Sequence, residues 1–290
     1  MRSVSLAVLL ASLSISGAAA GQQSPRAAAS TAAAGATHLL KTRDGTTLVG
    51  RLLAESADTI RFETAGGLLV LPRARVLELR RIDPADLHDG QYWAPDPHAT
   101  RLYFGPTGRT LKKGEGYFSD LYLFFVNASV GVTDRVMLGG GMSVFPSSDF
   151  SNNVYYLTPK AGLVQGDEFN LAVGALIGFA GKSNGSAGLV YGVATNGTPN
   201  ASVTYGLGWA YANKNVSSKP VLMLGGSGRI SRRLALMSEN YIVTGDGTTA
   251  LVSYGLRFIG DKLTVDFGFW NSLRDPIFPG LPWVGFALKF

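Results

Sequence analysis

The chain has 290 residues, of which 37 are glycine and only 16% are charged, and its mean hydropathy of +0.15 is high for a water-soluble protein. Its formal charge is +6, but the basic residues are scattered rather than interleaved with aromatic residues, so no nucleic-acid-binding surface is indicated. Because cysteine is absent, disulfides, cysteine metal ligands, thiol nucleophiles and a lipoprotein anchor are excluded.

Residues 1–20 are typical of a secretory signal peptide. Arg2 supplies a positive start, Val4–Ile15 a short apolar core and Ala18–Ala20 a small-residue cleavage site. The alternative interpretation is a disordered alanine-rich terminus. Residues 21–36 are low in complexity and predict a flexible linker. We therefore expect an exported chain.

Residues 37–82 predict a small antiparallel β-domain. Asp44-Gly45 and a later glycine pair are turn signals between short apolar strands. The hydrophobic pattern resembles small Sm-like β-domains attached to bacterial envelope proteins. It is interpreted either as a folded spacer or as a module that binds a periplasmic partner or ligand. Residues 83–99 are polar, contain proline and predict a connector.

From residue 100 to 290 the chain repeats an alternation that predicts β-strands. In the clearest example, Leu263–Phe269, large apolar residues alternate with Thr264, Asp266 and Gly268. Strands of roughly ten residues cross a bilayer when they are tilted. Twelve candidate strands follow one another: 100–106, 117–132, 136–145, 154–164, 169–179, 187–195, 201–211, 221–230, 234–243, 249–259, 262–271 and 282–290.

The connections between these strands alternate in length. Tight ones are expected at 133–135, 165–168, 196–200, 231–233 and 260–261, and longer ones between them. Outer-membrane barrels have short periplasmic turns and long outer loops, and an even strand count places both ends of the barrel in the periplasm. Ten strands would follow if 100–106 and one weak strand were misassigned.

The final strand carries large apolar residues at alternate positions: Val284, Phe286, Leu288 and Phe290. This tail resembles the C-terminal signal of bacterial outer-membrane barrels, which end on Phe and are inserted by the barrel-assembly machinery. We expect these four side chains to form the membrane-insertion signal. A strand that closes a barrel also leaves no open edge in lipid. Girdles at the two interfaces would use the aromatic residues near strand ends, namely Tyr103, Tyr117, Tyr155, Tyr156, Tyr211, Tyr241, Trp270 and Trp283.

A water-soluble β-sandwich or secreted barrel is the competing interpretation. It would also alternate, but it would expose Lys, Glu and Thr. Here the face opposite the large residues is mostly Gly, Ala, Ser and Thr, as expected for a narrow lumen. The sequence therefore predicts an all-β protein: a signal peptide, a small periplasmic antiparallel β-domain, and an antiparallel up-and-down transmembrane β-barrel of about 12 strands in the outer membrane.

The opening of the barrel region also resembles a known group. His98–Arg101, Leu111–Tyr117 and Gly131–Asp134 match the "SAT-R", "LKKGEGYY" and "GLTD" motifs of uncharacterised outer-membrane β-barrel proteins from Gram-negative bacteria. The resemblance covers residues 93–290. It implies the barrel fold and the outer-membrane location, and it implies no reaction.

Six charged residues fall on the small-residue face and are expected to line the lumen: Lys160, Arg229, Glu239, Arg257, Asp266 and Lys289. One interpretation is a pore with a mildly cationic lining that favours anionic solutes. The other is an internal salt-bridge network that only satisfies buried charges. In either case Arg257 and Asp266 flank a tight turn on adjacent strands and can pair.

The LKKGEG segment is expected on the first outer loop. There Lys112, Lys113 and Glu115 would contact lipopolysaccharide phosphates, fold into the lumen or form a solvated charged loop. Outer-membrane lipid and lipopolysaccharide are the expected partners.

No enzyme is predicted. A Ser hydrolase needs a His as general base, and the only three, His38, His88 and His98, precede the wall. No cofactor or metal site is indicated. The expected function is a passive channel for small, mildly anion-favoured solutes. The alternatives are a non-conducting structural or partner-binding barrel and, third, a barrel hydrolase that lacks His.

Overall fold

The computed structural model describes residues 36–83, 86–145, 153–180, 185–213, 215–244 and 249–290. The predicted signal peptide and most of the linker lie outside these residues. The chain divides into two compact units, Met1–Asp83 and Pro84–Phe290. The first unit contains a 3-10 turn at Arg73–Arg75, and no helix in the described ranges is long and apolar enough to cross a membrane.

The first unit is a five-stranded antiparallel sheet in the order β4-β3-β2-β1-β5. Gly45 and Gly67 reverse the chain with positive φ angles of 90° and 120°, which glycine adopts without strain. A small apolar core forms on one face from Leu40, Ile60, Phe62 and Val76. The strands are β1 (Thr37–Thr42), β2 (Thr47–Glu55), β3 (Thr59–Thr64), β4 (Gly67–Pro72) and β5 (Val76–Arg81).

The second unit begins with a short hairpin of β6 (Leu87–His88) and β7 (Gln91–Tyr92) and continues as a closed antiparallel β-barrel. The barrel is formed by β8 (Gly116–Leu121), β9 (Phe125–Gly131), β10 (Val136–Ser143), β11 (Val154–Leu157), β12 (Lys160–Gln165), β13 (Phe169–Ala180), β14 (Ser186–Thr198), β15 (Ala201–Ala212), β16 (Asn215–Ser231), β17 (Leu234–Val243), β18 (Thr249–Ile259), β19 (Leu263–Ser272) and β20 (Leu281–Lys289).

These elements make twelve barrel strands, because β11 and β12 are two halves of one strand. Both halves pair with β10 on one side and β13 on the other. The interruption falls at Thr158-Pro159, where proline cannot donate to the ladder. The barrel closes by antiparallel pairing of β20 with β8, with Lys289 opposite Tyr117 and Gly285 opposite Leu121. The predicted fold class and strand number are confirmed.

The strand prediction is nevertheless wrong at the start of the barrel. Residues 100–106 form no strand and hold only a single bridge between Arg101 and Pro106. Residues 117–132 form two strands, because the chain reverses at Tyr122 and Leu123 with φ angles of 61° and 64°. The two errors cancel in the strand count. Apolar residues at 102–104 imitate a strand, but their segment lies inside the barrel, where Leu102 and Tyr103 are buried.

The wall separates large apolar residues from small and polar ones. Along β19, Leu263 and Phe267 are exposed on the outside, whereas Thr264, Asp266 and Gly268 are buried. The same alternation gives the barrel a broad apolar outer surface, as in barrels that face lipid. On β20, Phe286, Leu288 and the terminal Phe290 are exposed, and the Phe290 ring packs against Phe118 at 4.9 Å.

The expected aromatic girdles are wrong for several of the residues named. Tyr103 is fully buried, and together with Leu102 and Met237 it forms an apolar cluster against which Trp270 and Trp283 pack. Trp270 also stacks on Tyr241, with ring centroids 5.9 Å apart. These aromatic side chains are therefore inside the barrel.

Candidate functional site: a plug inside the barrel

Residues 94–115, which we call the plug, connect β7 to β8. They lie inside the barrel as far as Leu111, and Lys112–Glu115 lie at its rim. The side chains and backbone of the plug contact inward-facing residues from strands around the circumference, and His98, Leu102 and Tyr103 are completely buried. The segment is rich in proline, glycine and threonine, so it cannot continue a strand ladder and instead satisfies its backbone groups through the wall. The end of the expected connector, the expected first strand and most of the expected first outer loop together form this element.

A cluster of buried charges fastens the plug to β18 and β19. Arg257 donates from Nε to Asp266 Oδ1 at 2.6 Å and from Nη1 to Asp96 Oδ2 of the plug at 2.9 Å. Its Nη2 donates to the Leu102 carbonyl at 2.8 Å. Arg101 of the plug donates from Nη1 to Asp266 Oδ2 at 3.1 Å. The expected pairing of Arg257 with Asp266 is present, and it includes two plug residues that the sequence analysis did not identify.

Lys160 and Glu239 bind the plug backbone from two other strands. Lys160 Nζ donates to the carbonyls of Thr100 and Thr107 at 2.9 and 3.1 Å. Glu239 is fully buried and accepts from the backbone N–H groups of Phe104 and Gly105, each at 3.0 Å. Lys160 and Glu239 do not form an ion pair with each other. Each charge is instead compensated by polar groups of the plug backbone. Buried charges require this kind of compensation.

Neutral wall residues complete the attachment. Thr195 Oγ1 accepts from the Gly108 N–H at 2.9 Å, and Gln165 Oε1 accepts from the Thr110 N–H at 3.0 Å. Arg109 Nη2 donates to the Gly197 carbonyl at 2.6 Å. These bonds continue the attachment across β12 and β14, so the plug is held from several sides of the barrel.

His98 is buried at the base of the charge cluster. Its Nδ1 lies 2.9 Å from Thr264 Oγ1, and its ring meets Tyr117 edge-on at 5.1 Å. Burial, with the nearby positive charge of Arg101, lowers the pKa of His98 to about 3. Burial raises the pKa of Asp96, but Arg257 and the His98 N–H outweigh it and hold that pKa below its ordinary value. Inside the barrel, His98 is thus neutral and Asp96 ionised.

The six predicted lumen residues all contact the plug. Lys160, Glu239, Arg257 and Asp266 make the bonds described above. Arg229 donates from Nη1 to the Ala94 carbonyl and lies over the Trp93 ring at 5.3 Å. Lys289 is half-buried at the rim and pairs with Glu115 at 2.7 Å.

The predicted outer loop is not found at Leu111–Gly116. Lys112 and Lys113 donate their backbone N–H groups to Glu115 and Asp134, and the Gly114 N–H donates to the Gly131 carbonyl. The segment therefore lies at the barrel end that carries Phe290 and the tight turns, opposite to the longer connections. It leads from the plug into β8 rather than joining two strands, so the outer-loop position of Lys112, Lys113 and Glu115 is wrong.

A cavity of about 250 Å³ lies beside the plug. Thr100, Arg101, Phe104 and Pro106 of the plug bound it on one side, and side chains from β8 to β17 bound it on the others. Its wall is largely apolar and aromatic. We call this cavity the chamber.

The sequence analysis missed the plug residues Asp96, Arg101 and Arg109. One signal could have found them, since charges flank an apolar triplet, Leu102–Phe104, that ends at Gly105-Pro106 and is shorter than a membrane-crossing strand.

No protein-family model matches the chain, and neither does any curated protein. Among solved structures, the KdgM porin in complex with disordered oligogalacturonate is 10% identical, with a TM-score of 0.42 over 60% of this chain and 95% of that chain. The NanC porin is 13% identical, with a TM-score of 0.38 over 60% and 97%. A loop L8 deletion mutant of OmpT, an outer membrane protein of Vibrio cholerae, is 13% identical, with a TM-score of 0.34 over 88% and 96%.

Proposed function

We propose that this protein is an outer-membrane channel for small solutes that its own plug holds closed. The carrying observation is the polar character of the plug attachment, in which Lys160, Glu239 and Arg257 bind plug carbonyls, N–H groups and a carboxylate. When the plug moves, these charged wall groups can exchange their plug partners for water, so the space that it leaves contains hydrated polar groups.

The mild preference for anions remains part of this proposal. Among the six charged wall residues, four are cationic and two are anionic. A lumen opened by plug movement would present these charges to passing solutes, and rings of cationic side chains favour anions. Lipopolysaccharide around the barrel and the assembly machinery that inserts it are proposed partners, as is a periplasmic ligand of residues 37–82.

Single-channel recording of the full-length protein in planar bilayers tests the proposal. We expect rare openings in the unmodified protein and at least about tenfold more frequent openings for Glu239→Gln, because a neutral amide holds the Phe104 and Gly105 N–H groups less strongly than a carboxylate. Salt-gradient reversal potentials of the open state should indicate anion preference, and Lys160→Glu should weaken it.

Glu115→Gln is the matched control, since this change is chemically identical but Glu115 lies at the rim, where it pairs with Lys289. Its opening frequency should stay near that of the unmodified protein. Arg257 makes several hydrogen bonds that join the plug to the wall, and this attachment favours the second candidate, a barrel that does not conduct. If Glu239→Gln and Arg257→Gln barrels remain folded and heat-modifiable but show no channel openings, that result would establish the second candidate and refute the channel.

A further inference from the structure

The chamber has a largely apolar wall, and the charged side chains that line it have only one sign. Leu176 and Leu189 face each other as a cross-strand pair of β13 and β14, and Met223 adds a flexible thioether from β16. Tyr117 and Tyr191 also line the chamber, and their hydroxyls make no hydrogen bond to the part of the chain that the structure describes. Apolar pockets with a few fixed polar groups are the usual sites for small ligands.

Of the residues that line the chamber, only Arg101 and Lys160 are charged, and both are cations. They are 6% and 4% exposed. Lys160 is already engaged with two plug carbonyls. Arg101 is paired with Asp266, which lies outside the lining, and the lining itself contains the two cations and no carboxylate.

Arg101 uses only one of its three nitrogens. Nη1 donates to the carbonyls of Leu102 and Tyr103 and to Asp266. Nε and Nη2 are buried and make no hydrogen bond within the described residues. These two nitrogens carry the parallel pair of N–H groups with which arginine binds a carboxylate in bidentate fashion. Buried donors without partners are costly, so a ligand that occupies both N–H groups recovers a real penalty.

We propose that the chamber binds small amphipathic monocarboxylates. Neither Nε nor Nη2 of Arg101 has accessible surface, so the guanidinium turns towards the chamber when the carboxylate accepts from both nitrogens. The apolar chain lies along Leu176, Leu189 and Met223. The cavity of about 250 Å³ is smaller than most drug-binding sites, which suits a short chain. This inference names the solute class of the proposed channel and rests on it for the route, but binding in the chamber is measured without any passage of solute.

Isothermal titration calorimetry of the full-length protein in detergent, with hexanoate as the probe, tests the proposal. Hexanol and hexylamine are controls of equal length that are neutral and cationic. We expect hexanoate to bind at least about tenfold more tightly than either control, and Arg101→Gln to remove most of that difference. Arg101→Lys should also weaken the binding of hexanoate, since lysine keeps the charge but loses the parallel N–H pair.

Two further variants separate binding from folding. Leu176→Gln should weaken the binding of hexanoate and of hexanol alike, because it makes the chamber wall polar and leaves Arg101 unchanged. Arg135→Gln, in an exposed turn, is the matched control and should bind hexanoate as the unmodified protein does. Equal binding of all three probes, or undiminished hexanoate binding in folded Arg101→Lys and Leu176→Gln proteins, would overturn the proposal. Hexanoate binding by a barrel that never conducts would retain the site and refute only the channel.

Discussion

Every guanidinium nitrogen of Arg257 has a hydrogen-bond partner, and those partners are divided between wall and plug. Such a residue contributes specificity more than net stability, because desolvation of the buried charges offsets much of their attraction. Removing one member would leave the remaining charges buried with fewer partners. At this scale the plug is positioned by individual polar contacts, and small changes in shape beside them should have large effects.

Gly108 is a plug residue that fits closely against the wall. A methyl group at this position would overlap the backbone carbonyl of Asn170, whereas one at Gly192 meets nothing within 4 Å. We expect Gly108→Ala to displace the plug and lower the free energy of unfolding by about 1–3 kcal/mol, as overpacking does. Gly192→Ala should leave it nearly unchanged. Urea unfolding in lipid vesicles measures both, and equal stabilities would contradict the close fit at Gly108.

Among the elements, the contact between β17 and β18 is unusual. Ladder pairing joins the two strands at Leu234–Met237 and again at Tyr241–Val243, and the intervening described residues are not paired. Ser253 bridges this interval, where its hydroxyl accepts from the Glu239 N–H at 2.8 Å and donates to the Glu239 carbonyl at 2.7 Å. A side chain thus replaces backbone partners in a wall that faces lipid, where unsatisfied groups are expensive.

Ser253→Ala should therefore destabilise the barrel. The variant leaves the N–H and carbonyl of Glu239 without partners, at a cost of about 1–3 kcal/mol for each buried group. Ser227→Ala on β16 is the matched control, since its hydroxyl makes no hydrogen bond to any described residue. Unfolding free energies that are equal for the two variants would show that Ser253 is dispensable.

For the whole molecule, the barrel and plug differ in how they are stabilised. The barrel wall is a hydrogen-bonded ladder that closes on itself, with side-chain bonds across the gap between β17 and β18, and its outer face is apolar. The plug has no ladder and depends on buried polar groups whose protonation matters. The two parts should consequently respond differently to acid.

Acid should release the plug through His98. Its pKa is about 3 when docked and near 6.5 when solvated, so the docked plug is fully stable above pH 6.5 and loses stability as the pH falls from there towards 3. At pH 5 the loss is about 2 kcal/mol, or roughly thirtyfold in population. Asp96, whose pKa is also depressed, acts in the same direction only at lower pH.

Amide hydrogen exchange measures this release without any need for conductance. We expect exchange of peptides from the plug to accelerate between pH 7.5 and 5, after correction for intrinsic rates, while peptides from β13 and β14 remain protected. In His98→Gln the acceleration should be absent, because the side chain no longer titrates. A pH dependence that persists in this variant would assign the effect to other groups.

The sequence alone determined the barrel, because the period of two is a local property that each strand repeats. Leu263–Phe269 shows it without reference to any other part of the chain. The charged positions on the small-residue face, such as Arg257 and Asp266, were readable for the same reason. The tertiary structure alone decided which groups these charges bind. Leu102, Tyr103 and Phe104 have the local pattern of a strand, yet they lie inside the barrel, with Leu102 and Tyr103 fully buried, because partners for their segment come from residues 60 to 155 positions away. No local pattern encodes such distant contacts, so the plug and the chamber beside it became visible only once the wall had closed around them.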